Sequence, residues 1–185
     1  MALDDKKLIE ETLNGDDLAF EQLMKKYLQP VYNFLRQLIK DTSVVDDLTQ
    51  ETFIKTWKNI SRFDQSKSFK TWIFTIAKNT AYDYLRKKKS IPFSFFRKSE
   101  DDRGLEEISE DKILPDEILE KEDLAKELEG KLKEIPRKYR SVLVLHYKED
   151  FSLYEIAEIL KKPYNTVKSL HYRALLRLRE AFLKK

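Results

Sequence analysis

The sequence predicts an all-α protein: two small helical domains joined by an acidic linker. Three observations carry that prediction. Gly and Pro number only 3 and 5, too few for a run of tight hairpins or for Gly-rich phosphate loops, while Leu, Ile, Lys and Glu dominate. Apolar residues recur at spacings of three and four over several separate stretches, the period of one helix face. The net charge of +3 also divides unevenly. Residues 1–90 hold 16 Lys+Arg against 13 Asp+Glu, residues 91–120 hold 4 against 10, and residues 121–185 hold 16 against 10. Two mildly basic segments, 1–90 and 121–185, therefore flank an acidic one, 91–120.

Composition also bounds the class. The 185 residues suffice for one medium domain or two small ones, and 41% hydrophobic residues can build a core. The absence of Cys removes disulfides, thiolate metal sites and Cys nucleophiles, and suits a reducing cytoplasm. The longest apolar run, Val142 to Leu145, is far shorter than the roughly 20 residues of a membrane span. The start, Met1-Ala2-Leu3-Asp4-Asp5, lacks the basic and apolar blocks of a signal peptide. A cytoplasmic protein with no membrane insertion is the expectation.

In the first segment, Phe20, Leu23, Met24, Tyr27, Val31, Phe34, Leu35 and Leu38 form a helical stripe from about Asp17 to Ile39. Pro30 inside it should kink the helix or start a new turn. A second helix is expected from near Ser43, with Asp46 in its first turn. It carries Val44, Leu48, Phe53, Ile54 and Trp57 and stops near Ile60. Ser61 to Ser68 is polar and turn-rich, a loop. Ser68 then caps a third helix bearing Phe69, Trp72, Ile73, Ile76 and Ala77, which runs on to Arg86, Lys87, Lys88 and Lys89. Two readings of those terminal cations compete: complementing the helix dipole, or binding phosphate beside exposed aromatics. The acidic stretch 91–120 reads as a linker extended by its own repulsion, against a plain solvated loop.

In the last segment Pro136 separates a charged helix, about Leu119 to Lys133, from one bearing Tyr139, Val142, Leu143 and His146. Ser152-Leu153-Tyr154-Glu155 is a capping box, followed by Ile156, Ala157 and Leu160 on the face of Leu153. Lys161-Lys162-Pro163-Tyr164 ends that short helix, and Asn165 is expected to cap another with Val167, Leu170, Ala174, Leu178 and Ala181 on one side. This is a helix-turn-helix pattern. At 100° per residue from Val167, the apolar set spans roughly 300° through 0° to 80°. Lys168, Ser169, Tyr172, Arg173 and Leu176 fall opposite, with Arg177 and Arg179 at the edges. Cations mixed with short polar groups suit a DNA major groove, the charges holding phosphates and the polar groups reaching base edges. The competing reading is a solvated outer helix of a bundle, on which Leu176 is out of place.

Nothing in the sequence carries catalysis. His146 lies on an apolar helix side and reads as a core histidine, and no P-loop, HExxH or GxSxG pattern occurs. Asp46-Asp47 has no partner base nearby. A non-enzyme without cofactor or metal is expected.

Three stretches carry a family resemblance. Asp47 to Trp57 (DLTQETFIKTW) is similar to the region 2.2 helix of bacterial sigma factors, and Phe69 to Arg86 resembles regions 2.3 and 2.4. Ser152-Leu153-Tyr154-Glu155-Ile156-Ala157 and Asn165-Thr166-Val167-Lys168-Ser169 resemble region 4.2. Together they cover nearly the whole chain, in order, as in the extracytoplasmic-function (ECF, group IV) sigma factors, which keep regions 2 and 4.

The resemblance implies residue roles. Asp47, Gln50, Glu51 and Phe53 would contact the β′ clamp helices of core RNA polymerase, with Ile54 turned into the core. Phe63, Asp64, Ser66 and Asn79 match positions holding a flipped base of the melted minus-ten element, where an aromatic face and an amide offset a few kcal/mol of unstacking. Arg86, Lys87 and Lys88 would hold the same DNA, and Trp72 reads as core rather than as a strand contact. Lys168, Ser169, Tyr172 and Arg173, with Arg177, match the upstream-element contacts. The C-terminal domain would meet the β flap, and the acidic segment would thread the polymerase channel shaped for RNA. An anti-sigma factor, commonly membrane-tethered, is implied as partner, with Ile91 to Phe96 its docking point or a segment packed on the N-terminal lobe. The sequence departs from the family pattern at Leu170, Asn165 and Tyr82, which touches promoter choice rather than fold. The rivals are a free-standing helix-turn-helix regulator and a helical adaptor that binds no DNA.

Overall fold

A computed structural model describes residues 4–88 and 130–183. The acidic segment 91–120, the run Ile91 to Phe96 and most of the charged helix expected over 119–133 lie outside the described residues. The described elements are helical. α1 spans Asp5–Leu13, α2 Asp17–Leu38, α3 Thr42–Asn59 and α4 Phe69–Lys87; α5 spans Arg137–Leu143, α6 Leu153–Leu160 and α7 Tyr164–Leu183. They belong to two compact units, one holding α1 to α4, the other α5, α7 and most of α6. No described helix is long and apolar enough to cross a membrane.

In the first unit each helix starts on a side-chain cap. The carboxylate of Asp4 accepts from the Lys6 amide, that of Asp16 from Leu18 and Ala19, and that of Asp41 from Ser43, while the Ser68 hydroxyl accepts from Thr71. Such caps satisfy amides that have no partner within the helix. Gly15, at φ +93°, makes the turn between α1 and α2 that an L side chain resists. α1 has little periodic signature in the sequence, because its inward residues, Leu8, Ile9 and Thr12, fill barely one turn of stripe. It is fastened to α2 by Asp5, which accepts from the Tyr27 hydroxyl and pairs with Lys26 at 2.6 Å. Burial, reinforced by that carboxylate, holds the Tyr27 phenol well above its ordinary pKa.

Pro30 does not end α2. Buried Tyr27 and Val31 flank it, so packing of the stripe on both sides outweighs the lost backbone bond. Phe34, Leu35, Ile73 and Phe74 form the centre of the unit, with Phe34 and Phe74 rings 5.4 Å apart.

In the second unit a helical stretch over 130–134 ends before Pro136. α5 continues into a π-helical turn, Val144–Lys148, closed by the Glu149 amide on the Val144 carbonyl at 3.1 Å. Val142, Leu145, Ile156, Val167 and Ala174 are fully buried and tie α5, α6 and α7 together.

Candidate nucleic-acid and partner interfaces

α3 divides lengthwise. Val45, Leu48, Thr49, Thr52, Phe53 and Thr56 point inward. The hydroxyls of Thr49, Thr52 and Thr56 donate to the carbonyls of Val45, Leu48 and Thr52 at 2.7–2.8 Å. Each hydroxyl is thus satisfied by its own helix, so a threonine can occupy a core position at no loss of hydrogen bonding. Asp47, Gln50 and Glu51 are exposed. Phe53 does not join them: it is 4% exposed, and Ile54, expected in the core, is 53% exposed. Apolar residues alone give the wrong phase for α3, because half of its inward stripe is threonine. Trp57 is also partly exposed and packs on Phe20, ring centroids 4.7 Å apart. Lys55 pairs with Glu51 at 2.7 Å and donates to the Thr80 hydroxyl at 3.1 Å, linking α3 to α4.

The loop after α3 opens with a 3-10 turn, Ile60–Arg62. Phe63 follows at 8% exposure, edge-on to Phe69 and 4.9 Å from the Trp72 ring. Its faces are spent on other rings, so it does not offer the open aromatic surface expected of it. Asp64 accepts from the Ser66 hydroxyl at 2.7 Å and the Ser66 amide at 3.0 Å. These bonds, that from the hydroxyl first, hold its carboxyl below the usual range. Asn79 lies two turns beyond Trp72 on α4, about 10 Å along the axis. It belongs to a partly exposed line of Trp72, Ile76, Asn79, Asp83 and Arg86, spaced at three and four. That line runs from the aromatic cluster to the cations at the helix end. Trp72 is half-buried, in the cluster yet on the open line. Arg86 pairs with Asp83 at 2.9 Å, Lys88 donates to the Tyr84 hydroxyl at 3.1 Å, and Lys87 is exposed. Lys78 was not anticipated: it is 4% exposed with its ammonium 5.6 Å from the centre of the Tyr82 ring. Burial pushes the Tyr82 phenol up to about 12.

In the second unit the capping box forms as expected. Glu155 accepts from the Ser152 amide and hydroxyl at 2.9 and 2.7 Å, and its own amide reaches the Ser152 oxygen at 3.3 Å. α6 ends on Lys161 at φ 52°, with the Lys162 amide on the Ala157 carbonyl at 3.0 Å, a closing turn that usually employs Gly. α7 begins at Tyr164, directly after Pro163. Asn165 is therefore inside the first turn and does not cap the helix; Pro's fixed φ suits the entry to a helix. Val167, Leu170, Ala174, Leu178 and Ala181 are buried, joined by His171 and Leu175. Lys168 and Arg177 are exposed, and Ser169, Tyr172, Arg173 and Leu176 half-buried. The Ser169 hydroxyl donates to the Asn165 carbonyl at 2.9 Å, and Arg177 pairs with Glu180 at 3.2 Å.

His171 was not singled out from sequence, since a histidine among the polar residues of α7 reads as outward. It packs with His146 and Tyr147, ring centroids 4.9 and 5.6 Å away, and shares a 3.1 Å hydrogen bond with the Tyr147 hydroxyl. Burial first, and His146 second, push its pKa down to about 4. His146 is half-buried rather than core; its Nδ1 lies 2.7 Å from the Phe151 carbonyl, so that nitrogen carries the proton. Among the described residues, no group of three or more His, Cys, Asp or Glu is placed to hold a metal.

Residues 23–91 match the family model for Sigma-70 region 2, and residues 125–178 match that for Sigma-70, region 4. The ECF RNA polymerase sigma factor SigW of Bacillus subtilis (strain 168) is 33% identical over 180 residues, 95% of each chain. The chain belongs to the ECF RNA polymerase sigma factors. The ECF RNA polymerase sigma-E factor of Haemophilus influenzae is 30% identical, over 93% of this chain and 92% of that one. Among solved structures, CnrH in complex with the cytosolic domain of CnrY superposes with a TM-score of 0.67 at 22% identity, over 96% of each chain. RpoE with the anti-sigma factor NepR from Bartonella quintana gives 0.65 at 24%, over 90% of this chain and 98% of that one. These two share the fold. A sigma factor is a transcription initiation factor rather than an enzyme: it joins core RNA polymerase and directs initiation at particular promoters. Region 2 of this one lies on α2 to α4, and region 4 includes the α6–α7 pair.

Proposed function

We propose that this sigma factor divides its work between the domains at 1–90 and 121–185. The outer side of α3, with Asp47, Gln50 and Glu51 and with Ile54 in the place assigned to Phe53, docks on the β′ clamp helices. The α4 line from Trp72 through Asn79 to Arg86, with Lys87 and Lys88, follows the opened minus-ten strand, and the loop at Asp64 and Ser66 borders it. Phe63 supports this surface from beneath by packing on Phe69 and Trp72. α7 reads the upstream duplex through Lys168, Ser169, Tyr172 and Arg173, with Arg177 at the edge, while its domain meets the β flap. The acidic segment 91–120 threads the polymerase channel between them.

The observation that carries this reading is the orientation of α7. Its apolar stripe packs inward and leaves Lys168, Tyr172 and Arg173 on the side away from Val167 and Ala174, inside a match to region 4. Opening base pairs costs roughly 1.4 kcal/mol of stacking per step, which two small basic lobes on a linker do not supply alone. Mounted on polymerase, the second contact becomes intramolecular. CnrH and RpoE were solved with the cytosolic domain of CnrY and the anti-sigma factor NepR; this supports an anti-sigma partner here, membrane-anchored or not. The protein acts in the bacterial cytoplasm, without enzymatic activity or cofactor.

Run-off transcription with purified core polymerase and genomic promoter fragments tests the reading. Promoter-specific transcripts that appear only when the protein is added are expected. A DNA footprint without polymerase, and no transcript with it, would establish a free-standing regulator instead.

A further inference from the structure

The first turns of α6 and α7 are joined by two stacked rings. Tyr154, second residue of α6, and Tyr164, first residue of α7, have centroids 4.0 Å apart and planes 12° from parallel. Tyr164 is half-buried, whereas Tyr154 is 69% exposed. Neither helix start needs Tyr154, since Ser152 and Glu155 already cap α6. The ring serves no core either, being laid open to solvent. What the stack does is fix a phenol on the outside of the helix-turn-helix: near-parallel rings contribute about 0.5–1.5 kcal/mol, enough to favour one side-chain direction. The chain beside it is strongly cationic. From Ile159 to Arg179 the sequence holds six Lys and Arg, Lys161, Lys162 and Lys168 among them, and no Asp or Glu, which outweighs Glu155 and Glu158, the two carboxylates of α6. An anion is therefore favoured next to a fixed hydroxyl donor.

We infer that Tyr154 is a contact to the DNA backbone: its hydroxyl donates to a phosphate oxygen of the upstream duplex, and its stack on Tyr164 sets the angle at which α7 enters the groove. The inference rests on the reading of α7 as the element that faces DNA. Phosphate contacts fix register without reading sequence. A neutral donor also displaces no counterion, so it adds affinity without adding salt dependence.

The test uses holoenzyme reconstituted from the full chain and core polymerase. Dissociation constants are measured on duplex promoter fragments, including single-base variants of the upstream element, over a series of salt concentrations. Tyr154→Phe keeps the stack and removes only the hydroxyl. It should weaken every fragment about tenfold, the worth of one hydrogen bond to a charged group, with base preference and salt slope unchanged. Tyr154→Ala should lose at least as much. Unaltered affinity in Tyr154→Phe would overturn the inference, as would altered base preference or weakened binding of core polymerase. Arg173→Ala, run in parallel, separates the two levels. If it loses base preference while Tyr154→Phe is silent, α7 still faces DNA and only the tyrosine contact fails; if neither variant has an effect, the placement of α7 fails as well.

Discussion

Phe53 and Ile54 are consecutive in the chain and opposite in the fold: Phe53 is 4% exposed on the inner side of α3, and Ile54 is 53% exposed on the outer side. A step of about 100° separates them, and the threonines at 49, 52 and 56 decide which one goes inside. Truncating the two should therefore have different consequences.

Phe53→Ala should destabilise the protein by about 3–5 kcal/mol, the usual result of emptying a buried aromatic site, read from urea denaturation. Ile54→Asp should stay within about 0.5 kcal/mol of the unmodified protein while losing most of its affinity for core polymerase in a pull-down. Normal polymerase binding by Ile54→Asp would remove α3 from the docking surface.

Lys168→Ala and Arg173→Ala should abolish selection among promoters while core binding stays near normal. The check is competition between promoter fragments alongside a polymerase-binding assay. Equal loss of both activities would contradict the division of labour between the units.

Ser152→Ala removes the hydroxyl half of the α6 capping box: Glu155 loses the hydroxyl it holds at 2.7 Å and its amide loses its acceptor, while the backbone amide at 152 keeps its 2.9 Å bond to the Glu155 carboxylate. A loss of about 1 kcal/mol in thermal unfolding is expected. Promoter affinity of the folded protein should fall little, since Ser152 is not placed on DNA.

His171 gives the fold an acid sensitivity. Its ordinary pKa is 6.5 and burial lowers it to about 4 in the folded chain. Below pH 6.5 the unfolded chain takes up a proton that the folded chain refuses. Stability is therefore complete above that pH and declines between pH 6.5 and about 4, by at most about 1.4 kcal/mol per pH unit from this group. Urea titrations across that range should show the decline, and His171→Gln should flatten it whatever its own stability. An unchanged slope in His171→Gln would show that other groups cause it.

Much of this was legible in the chain because it depends on local rules. The α2 stripe, the Ser68 cap, the Ser152/Glu155 box and the outward set of α7 each follow from residues within two or three turns of one another. Capping and helical periodicity act over that distance, so the sequence displays them directly. The order of the sigma-like segments could likewise be read along the chain.

What tertiary structure alone decided was which polar residues go inside. Thr49, Thr52 and Thr56 bury their hydroxyls on their own carbonyls, His171 shares a bond with Tyr147 from another element, and Lys78 lies buried against Tyr82. None of these has an apolar signature, and each becomes tolerable inside only through a partner that folding supplies. The same holds for Phe63, whose ring faces are taken by Phe69 and Trp72, and for Tyr154 and Tyr164, whose stack joins residues ten apart. Burial of a polar or aromatic group depends on what the rest of the chain brings to it, and that is a property of three dimensions.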